Sequence, residues 1–190
     1  MNVEEAIRTR RSIGKVKPDA VPRELVDKII EAAVWAPNHF HTEPWSFIVM
    51  TGEGRRVLGK VYAEVAGESK REETEEERAE RLRKAEQNAF RSPVVIAVVC
   101  KPSDAPKVVR AEELAAVHAA VQNLLLSAHA HGLGAVWRTG DAAYHPAAKR
   151  AFNLEEGDEV AGYIYVGYPD MEPPHAKRTP GTEKTVWLEG

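Results

Sequence analysis

The sequence holds one cysteine, Cys100, among 190 residues. An internal disulfide is therefore excluded, and so is a metal site built from several thiolates. No Gly-x-Gly-x-x-Gly run follows a strand-like segment, and no phosphate loop ends in Gly-Lys-Ser/Thr. No Gly-x-Ser-x-Gly elbow is present, and Cys100 has no nearby partner in sequence, so covalent catalysis by a side chain has no support. Cys100 reads instead as a buried strand residue. No apolar run approaches the roughly 18 residues that span a bilayer. Strong charge of one sign is also missing: the net charge is −3. That argues against general binding to nucleic acid or to anionic membranes. The start, Met-Asn-Val-Glu-Glu, lacks the basic-then-apolar order of a secretory signal, and a cytoplasmic protein is expected. His39/His41 and His129/His131 form His-x-His pairs, which can ligate zinc. A third ligand pattern is missing, and His129 and His131 fall on different faces of a helix, so no metal site is expected.

What is present centres on Ala111–Thr139. The run from Ala111 to His131 is dense in Ala and Leu and has no Gly or Pro before Gly132. It reads as a helix. Glu112 and Glu113 suit its positive end, and His129 and His131 its negative end. Gly132 stands where a left-handed cap is wanted. The apolar positions run almost all the way round, which predicts burial on most sides, in a core or between subunits. Leu133-Gly134 then turns into Ala135-Val136-Trp137, a short apolar run that reads as a buried strand ending in Arg138-Thr139.

The other elements follow from the same periodicities. Asn2–Arg11 reads as a short helix with Val3, Ala6 and Ile7 on one face. It ends in Arg10-Arg11-Ser12, a group able to hold a phosphate, because arginine forks match phosphate oxygens and serine adds a short donor. Pro22 opens a second helix whose inner face is Leu25, Val26, Ile29, Ile30 and Ala33, and Pro37 stops it. The next stretch, Asn38-His39-Phe40-His41-Thr42-Glu43-Pro44-Trp45, has the make-up of a site loop. A strand is expected over 46–51 and a helix over 55–66, with Val57, Leu58, Val61, Tyr62 and Val65 inward. Residues 68–88 carry mixed charges and read as an exposed helix or a lid. Pro93–Cys100 is uninterrupted Val, Ile and Ala, as in a central strand covered on both faces. A short helix over 146–152 and a strand over 160–166 follow. The polar stretch 170–185 reads as a tail ending in the apolar triplet Val186-Trp187-Leu188. Strands separated by helices argue one layered domain, α/β or α+β, over residues 1–190.

Taken in order, these motifs resemble the nitroreductase family. Arg10-Arg11-Ser12 is similar to its opening motif. Ala36-Pro37-Asn38-His39 with Glu43-Pro44-Trp45-Ser46-Phe47 is similar to its second. Gly132–Gly140 resembles the third, and Gly162–Pro169 the closing strand and turn. The likeness covers nearly the whole chain and is greatest to the short, minimal branch of the family. It implies an α+β, three-layer fold: a mostly antiparallel central sheet flanked by helices, in an intertwined homodimer whose 170–190 tail packs on the partner. It implies FMN as cofactor, held by Arg10, Arg11, Ser12, Trp137, Arg138 and Thr139, with Trp35 and His39 coming from the other subunit. The helix end Ser127, Ala128, His129, Ala130, His131 and Gly132 would lie near the NAD(P)H donor. Trp35 stands where Arg is frequent and Glu43 where Gln is common.

The chemistry so implied is hydride transfer from NAD(P)H to a nitroaromatic, quinone or similar acceptor in a ping-pong cycle. The flavin would carry the reaction at N5, which fits the missing catalytic triad. The competing readings are another flavin reaction on the same fold, such as flavin fragmentation or reductive dehalogenation, a flavin-binding protein without activity, and a metal-dependent hydrolase using the His-x-His pairs.

Overall fold

In the computed structural model, which describes residues 1–69 and 71–190, every residue of strand β2 (Val94–Cys100) is buried. Its unbroken run of apolar side chains, five of the seven β-branched, suits a strand covered on both faces. It lies inside a four-stranded sheet with β1 (Trp45–Thr51), β3 (Gly134–Arg138) and β4 (Glu159–Gly167), in the order β1-β2-β4-β3. Every neighbouring pair is antiparallel. Strand alternation splits the core into two layers. Val94, Ile96, Val98 and Cys100 face helices α2 (Arg23–Ala33) and α5 (Arg110–Ala130). Val95, Ala97 and Val99 face α3 (Arg56–Gly67), α6 (Asp141–Tyr144) and α7 (Pro146–Ala151). The result is the three-layer α+β arrangement.

Helix α5 buries Ala116, Val117, Ala120, Val121, Leu124, Leu125 and Ala128 against the sheet. Ala115, His118 and Gln122 remain exposed on its outer side. Burial on most sides is therefore only partly met within one chain. Gly132 (φ +75°) ends the helix as expected. Leu133 N–H donates to the Ala128 carbonyl at 2.9 Å and Gly132 N–H to the His129 carbonyl at 3.0 Å, the paired bonds of a left-handed helix stop.

Several elements differ from expectation in instructive ways. Helix α1 spans Val3–Thr9 and stops before the arginines, because Arg10 is extended (ψ 132°). Residues after it run beside β3: Ser12 bridges Ala135 in parallel, and Ile13 N–H donates to the Ala135 carbonyl at 3.0 Å. Gly134 permits this approach, since a Cβ there would lie 2.8 Å from Ile13 Cγ2. Of the expected α1 face only Ala6 is buried; Val3 and Ile7 are 69% and 56% exposed. Strand β3 is at the sheet edge, so Val136, Trp137 and Arg138 are half-buried rather than buried. Val57 points outward on α3, whereas Leu58 and Val61 are buried. Residues Glu75–Gln87 form α4, opened by a reciprocal Thr74–Glu77 cap and with no buried side chain. Residues 171–190 lie exposed.

Candidate functional site

The end of α1, the C-terminal end of α5 and the start of β3 meet around a cleft of about 260 Å³. Arg10, Arg11, His129, Gly132 and Ala135 line it, and Met171 covers it from the tail. The Arg11 guanidinium donates to three backbone carbonyls, those of Pro174 (3.0 Å), Arg8 (2.7 Å) and Arg10 (2.8 Å). Carbonyls position the fork without cancelling its charge. Among the described residues neither Arg10 nor Arg11 has a carboxylate partner, although Glu172 lies at the rim. Burial, then Arg11 and Arg178, pushes the Arg10 guanidinium below its ordinary pKa. Three cations thus share one small region, which favours an anion. Arg178 escaped the sequence reading; its only signal was the basic pair Lys177-Arg178 inside an aperiodic tail.

His129 reports the same field. Thr9 Oγ1 gives its proton to the Glu5 carbonyl (2.7 Å), so the 2.8 Å contact with His129 Nε2 makes the ring the donor. Burial, followed by Arg10 and Arg11, lowers its pKa and holds the ring neutral.

The residues of β3 divide between the two faces of the sheet. Trp137 turns to the α5 side, where its Nε1 donates to the Ala161 carbonyl at 3.1 Å and its ring meets His118 at 5.3 Å. Gly162 makes this possible, since a Cβ there would sit 2.2 Å from the indole nitrogen. Arg138 turns the other way. With Thr139, Tyr62, Asn88, Arg91 and Tyr165 it lines a second cleft of about 310 Å³. Its guanidinium carbon lies 5.6 Å from the Tyr165 ring centre, and its Nε is buried without a partner. The Tyr62 and Tyr165 hydroxyls are 2.7 Å apart, and burial raises both phenol pKa values. This guanidinium N–H, beside a second cation, Arg91, has no acceptor among the described residues, which costs free energy.

Trp35 and His39 do not line the Arg10 cleft of their own chain. Trp35, at the end of α2, is 79% exposed and donates to Glu31. His39 opens a strained loop: Phe40, His41 and Glu43 all have left-handed φ values of 56°, 54° and 47°. Such residues cost of order 1–3 kcal/mol each and persist only where contacts over-determine them. Here the contacts come from the first turn of α5. His39 Nδ1 lies 2.6 Å from Glu112, and Thr42 Oγ1 donates to Glu113 at 2.6 Å. Glu113 is 1% exposed and also accepts from Ser103 N–H at 3.1 Å.

The Ser127–Gly132 group is not brought to one place. His129 and Gly132 line the cationic cleft, Ala128 is in the core, and Ser127 and Ala130 line a shallow groove with Val3, Ala6 and Leu126. His131 is exposed at the helix cap. A separate cluster, Glu64, Glu68 and His145, has metal-ligand spacing. His145 Nδ1 accepts from Ala147 N–H at 3.1 Å, so its proton is on Nε2, which faces Glu68 at 3.0 Å, while Glu64 pairs with Arg150. The cluster is an ion-pair network with its ring nitrogens already engaged. No helix among the described residues is long and apolar enough to cross a membrane.

An arginine cleft set between a short first helix, a long central helix and an edge strand is the frame of a known class. The nitroreductase family pattern matches residues 7–168, and the chain belongs to that family. YfhC of Bacillus subtilis, provisionally named an NAD(P)H nitroreductase, is 36% identical over 177 residues, covering 93% of this chain and 89% of its own. A nitroreductase-like protein of Bacillus cereus has a similar structure, with TM-score 0.84 and 35% identity over 100% of this chain and 97% of its own. A provisionally named nitroreductase of Desulfovibrio desulfuricans, solved with FMN, matches at TM-score 0.75 and 28% identity, covering 100% and 98%.

Proposed function

We propose that this chain is an FMN-dependent oxidoreductase that takes reducing equivalents from NAD(P)H and delivers them to a nitroaromatic, quinone or related acceptor. The observation that carries this is the cleft of uncompensated arginines, Arg10 and Arg11, with Arg178 nearby. Its charge and donor geometry suit a phosphate. FMN, when bound, supplies hydride chemistry at N5. The chain's own residues bind and orient. Arg10, Arg11 and Ser12 hold the phosphate and ribityl end; Trp137, Arg138 and Thr139 meet the ligand from the strand end. The α5 end, Ser127–Gly132, would face the donor, though of this group only His129 and Gly132 line the Arg10 cleft. Donor and acceptor occupy one place in turn.

The single-chain cleft of about 260 Å³ falls below the roughly 300–1,000 Å³ of sites that enclose a drug-sized ligand. A homodimer would complete it, with the partner adding its Trp35 and His39. The exposed Val3 and Ile7, the outer strip of α5 and the exposed triplet Val186–Leu188 support such an assembly.

The test is spectroscopic. Purified protein should be yellow, and NADPH or NADH added without air should bleach the flavin band. Colourless protein that takes up no added FMN would overturn the proposal in favour of a hydrolase or an unrelated binding role.

A further inference from the structure

The loop Asn38–Glu43 concentrates left-handed backbone among the described residues, and two adjacent carboxylates hold it. Three of its non-glycine residues have positive φ. Glu113, at 1% exposure, takes the Thr42 hydroxyl and the Ser103 N–H. Asn38 Oδ1 accepts from Glu43 N–H at 3.0 Å and closes the loop on itself. Glu112, one residue before the buried carboxylate, faces His39 Nδ1 at 2.6 Å. Because consecutive helical residues point about 100° apart, one carboxylate goes down into the loop base and the other out to the imidazole.

We infer that Glu112 is a positioning residue for His39, and that Glu113 fixes the loop from which His39 acts. The inference rests on the reading above, in which His39 meets the flavin of the partner subunit. A carboxylate can only accept, so Glu112 assigns the proton to Nδ1 and leaves Nε2 as the ring's free polar atom. The Phe40 ring, stacked on the imidazole at 3.9 Å and 17°, fixes the plane. The plane of the ring and the choice of which nitrogen faces outward are thereby set before any ligand arrives. The Glu112–His39 pair itself lies outside the core. Glu112 and His39 are 47% and 57% exposed in side chain, and the loop lies at the rim of the sheet. Such a pre-set exposed ring is built for contact with something outside this chain, and preorganisation lowers the cost of that contact.

The experiment is a double-mutant cycle on the full-length protein, read as FMN dissociation constant and as the shape of the bound flavin's visible spectrum. The variants are Glu112→Ala, His39→Ala, the double variant, and the conservative Glu112→Gln, whose amide oxygen still accepts from Nδ1–H. His39→Ala and Glu112→Ala should each weaken FMN by about tenfold, roughly one lost polar contact. The double variant should be no weaker than His39→Ala alone, and Glu112→Gln should recover most of the affinity. A purely structural role would lower melting temperature in all three alanine variants without this non-additivity. If His39→Ala weakens FMN but Glu112→Ala stays within about twofold of the parent, the positioning role is overturned. Fully multiplied losses would overturn it too, since Glu112 would then act independently. Unchanged FMN affinity in His39→Ala would overturn the shared-site reading as well. A chain that binds no FMN at all would instead refute the cofactor.

Discussion

Arg10 is half-buried, extended in backbone, and faces two other cations with no carboxylate partner among the described residues. Its role can be tested by opposite signs. Arg10→Ala removes repulsion from Arg11 and Arg178, so the apo protein should melt at the same temperature or higher. The same change removes a charge-assisted bond to phosphate worth about 1.5–3 kcal/mol, so FMN should bind roughly ten- to hundredfold more weakly. Calorimetric melting and flavin-fluorescence titration check the pair; a lower apo melting temperature with unchanged FMN affinity would make Arg10 structural. His129 reads the same field in protons. Its native pKa lies below the ordinary 6.5, first through burial and then through Arg10 and Arg11. Below 6.5 the unfolded chain takes up a proton that the native chain refuses, so this group's contribution is full above 6.5 and is lost as pH falls through the native value. Proton NMR of the His129 ring should show an inflection below 6.5 in apo protein. A bound phosphate should move it upward, because the anion offsets the arginines. An inflection unmoved by FMN would put the phosphate elsewhere.

At the scale of elements, α5 does two unlike things with one sequence. Its inner stripe of Ala, Val and Leu seals the sheet, and its ends deliver polar groups: Glu112 and Glu113 to the His39 loop, His129 and Gly132 to the cleft. The stop at Gly132 decides where the second group falls. At φ +75°, with nothing within 4 Å of an added Cβ, Gly132→Ala would pay only in backbone strain, about 1–2 kcal/mol. For a chain this size that is a melting shift of roughly 2–8 °C. FMN affinity should fall with it, because the cleft wall moves as the cap relaxes. A melting shift with affinity untouched would show that the cap supports the fold without shaping the site. Strand β2, by contrast, has every residue buried, so its tolerance for polar substitution should be least in the molecule.

The whole molecule leaves apolar surface that one subunit does not cover. Val186, Trp187 and Leu188 are 83%, 79% and 95% exposed, Ile7 is 56% exposed, and Val3 lies open in the groove with Leu126 and Ala130. Contiguous exposed apolar surface is characteristic of interfaces. A twofold dimer would bury them, with an interface of the order of 2,000–5,000 Å² if the subunits are obligate partners. Removing residues from Lys184 onward should then weaken the dimer and FMN binding together. Light scattering at low micromolar protein checks this. A flavin-loaded, active monomer of 21.0 kDa would refute both the assembly and the sharing of His39 and Trp35.

The sequence by itself determined the local elements and much of the site's chemistry. Period-two and period-3.6 patterns located the strands and long helices, because those patterns are the burial requirement written along the chain. Gly132 announced its cap, since few other residues accept a left-handed φ. The Arg-Arg-Ser stretch offered a group able to hold a phosphate, because arginine forks match phosphate oxygens. Only the tertiary structure decided which groups meet. Trp137 and Arg138 read as one group at a strand end, whereas the sheet sends Trp137 to the α5 side and Arg138 to Tyr62 and Arg91. Arg178 reaches the field of Arg10 through a tail with no pattern of its own. Glu113 looked like a helix-dipole residue and is instead the buried anchor of a strained loop. Val3 and Ile7 looked like core and are exposed. The reason is common to all four cases. A residue's period fixes the face it occupies, while the partner across that face is set by long-range packing, which no local window of sequence contains.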